Sequence, residues 1–270
     1  MDISISIGKD LRQNFPVVIR GSRIIDSIKS AVDLGYKVIE LHLENIGVEE
    51  FIEINKIIEN KDLKVSTLGT GLLYVKNRLS FSSKDENIRI AAVKQIKKFI
   101  DVAKYWDCKV IIGSVRGKIE YEEERETYEK NIMNCLLSVI DKAEKEEVFV
   151  VLEPLNRYET NFINTVNDGL ELLKMISSNF LKLHLDTFHM NIEEDNIKEA
   201  ILRAGSYVGH FHFADNQRKY PGSGHINFLE IKDAIVNINY DGYIAVECLP
   251  IPSPEEAARR SLDFIKSLFL

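Results

Sequence analysis

Cysteine is scarce in this sequence, and its scarcity limits the class of protein. The 270 residues include three cysteines, Cys108, Cys135 and Cys248, and no pair has C-x-x-C spacing. An odd number without that spacing disfavours both a disulfide framework and a thiolate metal site. We therefore expect a protein of a reducing compartment, the cytoplasm.

Long apolar stretches are also missing. No apolar run approaches the ~20 residues that a membrane-spanning helix requires. The chain starts MDISISIGKD, which has neither the basic segment nor the apolar segment of a secretion signal. We expect no membrane partner and no cleaved leader.

An excess of positive charge is the third absent feature. Lys and Arg number 35 and Asp and Glu number 42, so the formal net charge is −7, and both signs are scattered along the chain. A nucleic-acid-binding protein presents a basic surface that displaces counterions from phosphates. The composition therefore disfavours a nucleic-acid partner, whereas the 45% hydrophobic content provides for a large core.

What the sequence does contain is a regular alternation of strand and helix patterns. We predict eight strands, each followed by a helix, at 3–8, 38–43, 64–69, 109–114, 148–153, 181–186, 208–214 and 243–249. Repeated right-handed βαβ units close most economically into a barrel, which typically takes about 250 residues. The alternative is an open doubly wound sheet, but no glycine-rich phosphate turn follows the first strand. We predict an α/β protein, a (β/α)8 TIM barrel, with residues 1–270 forming one domain.

Acidic and imidazole side chains stand at the ends of four consecutive predicted strands. They are Glu153, Asp186, His212 and Glu247. The carboxyl ends of barrel strands form the active-site face, and the alternation along each strand turns these side chains inward. Each one alone is better explained as a cap of a neighbouring loop. Four together would repel without a cation, and oxygen ligands with one imidazole suit Mn²⁺, Mg²⁺ or Co²⁺.

The stretches around these residues resemble the sugar isomerase/epimerase family of xylose-isomerase-like barrels. They are EPLNRYET at 153–160, DTFHMNIE at 186–193, GHFH at 209–212 and VE at 246–247. The similarity extends essentially from end to end, and it is greatest to the D-tagatose 3-epimerase and D-psicose 3-epimerase branch.

The resemblance implies a metal-dependent ketose 3-epimerase that acts through a cis-enediolate, on pairs such as D-psicose/D-fructose or D-tagatose/D-sorbose. It implies one divalent ion per chain, Mn²⁺ ahead of Co²⁺ or Mg²⁺, on the four strand-end residues, and a homo-oligomer, a dimer or tetramer. Two of those residues, Glu153 and Glu247, would also be the catalytic bases that flank C3. Three further residues match substrate-binding positions of the family, namely Glu159, His189 and Arg218.

Other activities with the same site stay open at this stage. A ketose-phosphate 3-epimerase, an aldose–ketose isomerase related to hydroxypyruvate isomerase, an inosose dehydratase and a non-catalytic sugar-binding barrel are the alternatives. A nuclease of the endonuclease IV type is disfavoured, because it needs histidines at the ends of strands three and four, which read STLG at 66–69 and IGS at 112–114.

Several residues have less definite interpretations. We expect His184 and His210 to be core histidines with satisfied hydrogen bonds. The roles of His42, Arg116 and His225 stay open. Free and phosphorylated ketoses are not separated by the sequence, because Arg116, Arg157 and Lys219 are each compatible with a phosphate contact and with no contact to substrate.

Overall fold

The protein folds into a barrel of parallel strands. Its structure is a computed structural model that describes residues 2–9 and 15–269. Within those residues there are nine strands, and every pairing between them is parallel. The strands are β1 Ile3–Lys9, β2 Ile19–Gly21, β3 Val38–His42, β4 Lys64–Gly69, β5 Lys109–Ile112, β6 Val150–Leu152, β7 Leu181–Asp186, β8 Val208–Phe213 and β9 Ile244–Val246.

The ring closes between the first and the last strand, where Ile3 is paired with Ile244 and Ile5 with Val246. Helices follow the strands and surround the ring, as a (β/α)8 barrel requires. They are α1 Ile24–Asp33, α2 Val48–Lys61, α3 Gly71–Val75, α4 Glu86–Trp106, α5 Arg125–Glu146, α6 Val166–Ile176, α7 Thr187–Glu193, α8 Ile197–Ala204, α9 Phe228–Asn237 and α10 Pro254–Phe269. The predicted TIM barrel is confirmed.

The additional strand, β2, was not predicted. It has three residues and pairs with the carboxyl half of β1, from Ile7↔Ile19 to Lys9↔Gly21. Three residues are too few to show an alternating pattern in the sequence. Five strands, β3, β5, β6, β8 and β9, are also shorter than predicted. Among them, β6 ends at Leu152 and β9 at Val246. Glu153 and Glu247 therefore follow their strands directly.

Hydrophobic and polar side chains alternate across the barrel wall, as β8 illustrates. Phe211 and Phe213 are fully buried against the helical layer, where their rings contact those of Tyr240 at 5.0 Å and Phe228 at 5.2 Å. The alternate residues, His210 and His212, point the opposite way, into the barrel. The interior of this barrel is thus polar, and the apolar core lies between strands and helices.

Removing a ring from that outer layer will destabilise the protein. Phe211→Ala is expected to lower the free energy of unfolding by about 3–5 kcal/mol, because it deletes a buried side chain and leaves a cavity. Val236→Ala on α9 is the control, since that side chain is 57% exposed and its truncation should cost less than about 0.5 kcal/mol. Denaturant unfolding measures both, and equal losses would contradict this account of the core.

Candidate active site

The predicted strand-end residues converge at the carboxyl ends of β6 to β9. Ligand atoms of Asp186, His212 and Glu247 lie within 4.8 Å of one another, and those of Glu153, Asp186 and His189 do so as well. All five residues are more than nine-tenths buried. The structure therefore brings together the four predicted metal ligands and one predicted substrate-binding histidine.

Asp186 illustrates how the sequence builds the site locally. It is the last residue of β7 and the N-cap of α7, and its Oδ1 accepts a hydrogen bond of 2.8 Å from the backbone N–H of Phe188. Its Oδ2 is buried and has no hydrogen-bond partner. The capping role and the site role thus belong to different oxygens of one carboxylate.

Three buried atoms of this cluster lack hydrogen-bond partners, and they face one another. They are Asp186 Oδ2, His189 Nε2 and His212 Nδ1. Buried polar atoms in folded proteins are nearly always paired, so a concentration of unpaired atoms marks a ligand site. Carboxylates with imidazole are a donor set that fits a hard or borderline divalent cation such as Mn²⁺, Mg²⁺ or Co²⁺.

The carboxylates of the cluster respond differently to their surroundings. Burial raises the pKa of Glu153 well above its ordinary value, and the nearby carboxylates reinforce that shift. Burial also raises the pKa of Asp186 to about 6, against the opposing charge of Arg218. Burial opposes ionisation of Glu247 too, but the charges of His212 and Arg218 outweigh it and lower the pKa of Glu247. The positive side chains of the protein therefore do not balance the charge of all three carboxylates.

A cavity of about 570 Å³ opens over the cluster. Its lining combines charged residues of the cluster with apolar side chains at the rim, as in most small-molecule sites. The lining includes Phe15, Pro16, His42, Leu72, Lys76, Arg78, Glu153, Glu159, His212, Arg218 and Glu247.

Comparison with known proteins identifies the family. A family model described as "Xylose isomerase-like TIM barrel" matches residues 28–268. The chain belongs to this family. D-psicose 3-epimerase of Ruminiclostridium cellulolyticum is 32% identical over 230 residues, which make up 82% of this chain and 76% of that protein. D-psicose 3-epimerase of Agrobacterium fabrum is 30% identical over 228 residues, with coverages of 82% and 77%.

A solved structure of a D-psicose 3-epimerase shows the same architecture. D-psicose 3-epimerase with D-tagatose, from Clostridium cellulolyticum H10, gives a TM-score of 0.80 at 25% identity. The match covers 98% of this chain and 99% of that chain. The similarity is therefore to a whole barrel.

Arg218 belongs to the cluster and is not a solvated loop charge. Its side chain is 15% exposed, and its guanidinium is 2.9 Å from Glu247 Oε2 and 2.9 Å from Glu159 Oε1. The guanidinium also lies over the ring of Phe188 at 4.7 Å. The structure thus brings the predicted substrate residues Glu159 and Arg218 beside the predicted ligands.

Asp215 holds the loop that presents Arg218. Its carboxylate accepts hydrogen bonds from four backbone N–H groups, at 2.8–3.2 Å, and the residue is 1% exposed. The donors are Asn216, Gly222, Gly224 and Ile226. The backbone of Arg218 is in turn tied to Asp215 and to Leu249 by hydrogen bonds of 2.7 Å each.

Glu40 is a residue that sequence reasoning missed. It lies within β3, is fully buried, and accepts hydrogen bonds from His42, His210, His212 and Thr67. Burial opposes its ionisation, but the charge of His212 and the histidine hydrogen bonds outweigh that effect and hold the pKa of Glu40 well below its ordinary value. A carboxylate at the centre of the strand VIELHL was the available signal.

The expectation of satisfied core histidines is wrong for His184. Both of its buried ring nitrogens lack hydrogen-bond partners, because the ring packs edge-on against the His212 ring with centroids 3.9 Å apart. It also lies within ligand distance of Glu153 and His212. His210 is satisfied through one nitrogen only, since its Nε2 is 3.0 Å from Glu40 while its Nδ1 has no partner.

Arg116, His42 and His225, whose roles the sequence left open, lie in three different surroundings. Arg116 is fully buried, and its guanidinium donates to the backbone carbonyls of Gly113 at 3.0 Å, Glu153 at 2.6 Å and Ile163 at 2.9 Å, which fixes the segment after β6. His42 lines the cavity. His225 is exposed, and its backbone N–H donates a hydrogen bond to the side chain of Asn216.

Weakening the Asp215 loop will increase its flexibility. Asp215→Ala leaves buried N–H donors unpaired, so the free energy of unfolding should fall by about 1–3 kcal/mol. Amide hydrogen exchange within 215–226 should become faster. The exposed neighbour Gln217 is the control, because Gln217→Ala removes no hydrogen bond shown for the loop. Unchanged exchange in Asp215→Ala would refute this role.

Proposed function

We propose that this protein is a metal-dependent ketose 3-epimerase that interconverts C3 epimers through a cis-enediolate. The observation that carries the proposal is the presence of two buried carboxylates, Glu153 and Glu247, in the lining of one cavity. They follow β6 and β9, and two strands lie between those in the ring. Their carboxylates therefore approach a bound sugar from different sides, as removal and return of a proton on opposite faces of C3 requires.

The donor set of the cluster fits a divalent ion. Glu153, Asp186, His212 and Glu247 would hold it, and it would supply Lewis-acid stabilisation of the charge that develops on the substrate oxygens. Glu153 and Glu247 would each act as base in one direction of the reaction and return the proton as acid in the other. We propose Mn²⁺ as the resident ion, with Co²⁺ or Mg²⁺ as substitutes.

His189 and Arg218 are proposed to bind the substrate oxygens near C1 to C3. His189 Nδ1 accepts from the backbone N–H of Asn156 at 3.2 Å and from its side-chain amide at 2.7 Å. The proton of the neutral ring is then on Nε2, which points toward the ligand cluster as a donor. A donor N–H suits a carbonyl or enediolate oxygen and has no lone pair for a cation. The Arg218 guanidinium adds positive charge to the same place.

A free ketose is the proposed substrate class, and Glu159 is proposed to bind one of its hydroxyl groups. Two arginines considered as phosphate contacts are committed to protein groups: Arg116 to backbone carbonyls, and Arg157 to Glu193 at 3.0 Å. D-psicose/D-fructose and D-tagatose/D-sorbose are the pairs to test. A ketose phosphate is the second candidate, because Arg78 lines the cavity, together with Lys76, which is paired with Glu44.

The remaining alternatives are less well supported. Within the described residues, β4 ends at Gly69 and β5 at Ile112, so neither strand supplies the histidine that an endonuclease IV-type zinc cluster needs.

No helix in the described part of the chain is long and apolar enough to span a membrane. We further propose a cytoplasmic, one-domain protein that forms a dimer or tetramer and binds no nucleic acid.

Neutralising either proposed base should stop epimerisation at C3, because inversion requires a base on each face. Glu153→Gln and Glu247→Gln are each expected to lower kcat by about 10²–10⁴-fold, since each removes an essential base. The measurement is deuterium incorporation from D₂O into free and phosphorylated ketoses, resolved at C1, C3 and C4 by NMR. Glu171→Gln, on an exposed face of α6, is the control. Full conversion to the C3 epimer in either variant, followed in the same spectra, would refute the mechanism. Wild-type exchange at C1 alone would indicate an aldose–ketose isomerase.

Removal of the metal should abolish activity reversibly. After treatment with a chelator the enzyme is expected to be inactive, and Mn²⁺ or Co²⁺ should restore turnover because the ligand cluster loses its charge balance without a cation. Elemental analysis of the purified protein should give about one ion per chain, as expected for one such cluster. Three zinc ions per chain would overturn the proposal in favour of the nuclease.

A further inference from the structure

Glu40 is buried beneath the proposed metal cluster and does not line the cavity. Its hydrogen-bond donors come from three strands, of which β8 lies on the far side of the ring from β3 and β4. Thr67 Oγ1 donates to its Oε2, and the Nε2 atoms of His42 and His210 lie 2.7 Å and 3.0 Å from its carboxylate. A buried carboxylate persists only with such compensation, so each donor restricts how Glu40 can turn.

The remaining donor is His212, the only imidazole among the four predicted ligands. His212 Nε2 is 2.9 Å from Glu40 Oε2 and 2.8 Å from Oε1. An ionised carboxylate accepts hydrogen bonds and cannot donate them, so Nε2 must carry a proton. With the proton held on Nε2, Nδ1 is the nitrogen left to bind an ion. It is buried, has no hydrogen-bond partner and lies 3.5 Å from Glu247 Oε2.

The sheet has a register shift directly before each of two residues that contact His212. The β3–β4 register shifts between Ile39 and Glu40, and the β7–β8 register shifts between Leu183 and His184. A register shift redirects the side chains that follow it. The first shift directly precedes Glu40, whose carboxylate contacts the His212 ring. The second directly precedes His184, whose ring packs edge-on against the His212 ring with centroids 3.9 Å apart.

We propose that Glu40 is a positioning residue of the metal centre, which fixes His212 in the tautomer and orientation that leave Nδ1 for the ion. The inference rests on the proposed metal site. Partners that hold the second nitrogen of a ligating histidine typically change metal affinity by about 10–100-fold when mutated. Glu40 would thereby act on the reaction through His212 without touching the substrate.

Glu40→Gln is the sharpest variant, because glutamine has the same shape and can donate from its amide. An amide facing His212 Nε2 favours the proton on Nδ1, which is the wrong tautomer for the ion. Calorimetric titration of the metal-free protein with Mn²⁺ should show a dissociation constant about 10–100-fold higher than in the wild type. Glu50→Gln is the control, since it also neutralises one carboxylate, which pairs with Lys9 and neither lines the cavity nor belongs to the ligand cluster. It should leave Mn²⁺ affinity unchanged.

A measurement on the wild type keeps the inference testable if Glu40→Gln does not fold. Nitrogen-15 NMR of the histidine rings in the Mg²⁺-loaded protein should show the ring proton of His212 on Nε2 and the metal on Nδ1. A ring proton on Nδ1, or equal Mn²⁺ affinity in folded Glu40→Gln and wild type, would overturn the role of Glu40. A wild type that binds neither ion would instead refute the proposed metal site itself.

Discussion

The constraint on this site is the burial of three neighbouring carboxylates beside few positively charged side chains. The carboxylates are those of Glu153, Asp186 and Glu247. Arg218 and His212 offset one of them and lower the pKa of Glu247, whereas the pKa values of Glu153 and Asp186 are raised. Such a group is stable only with protons or with a cation in its centre. The unpaired atoms, the surrounding loops and the cavity above are all arranged around this requirement.

The polar interior of the barrel follows from the same constraint. A barrel of this size is usually filled with apolar side chains, but here the interior carries a carboxylate, histidines and hydroxyl groups that are hydrogen-bonded across the ring. The hydrophobic contribution to stability therefore comes mainly from the layer between strands and helices. The interior instead provides the fixed orientation that a metal centre needs.

Two histidines of the site, His212 and His189, have different hydrogen-bond partners. His212 faces the carboxylate of Glu40, which keeps a proton on Nε2 and leaves Nδ1 for an ion. His189 accepts hydrogen bonds from Asn156 on Nδ1, so its Nε2 is a donor. Under the proposed function, chemically identical side chains would thus serve one as a metal ligand and the other as a substrate contact.

The sequence by itself determined the (β/α)8 fold and the strand-end positions of Glu153, Asp186, His212 and Glu247, because the alternation of apolar residues and the order of strands are local properties. Only the tertiary structure decided the role of Glu40, the unsatisfied state of His184 and the commitment of Arg116 to backbone carbonyls. Those depend on contacts across the ring between residues far apart in the chain. Glu40 and His212 are separated by 172 positions, and no local pattern encodes which side chains meet at such a distance.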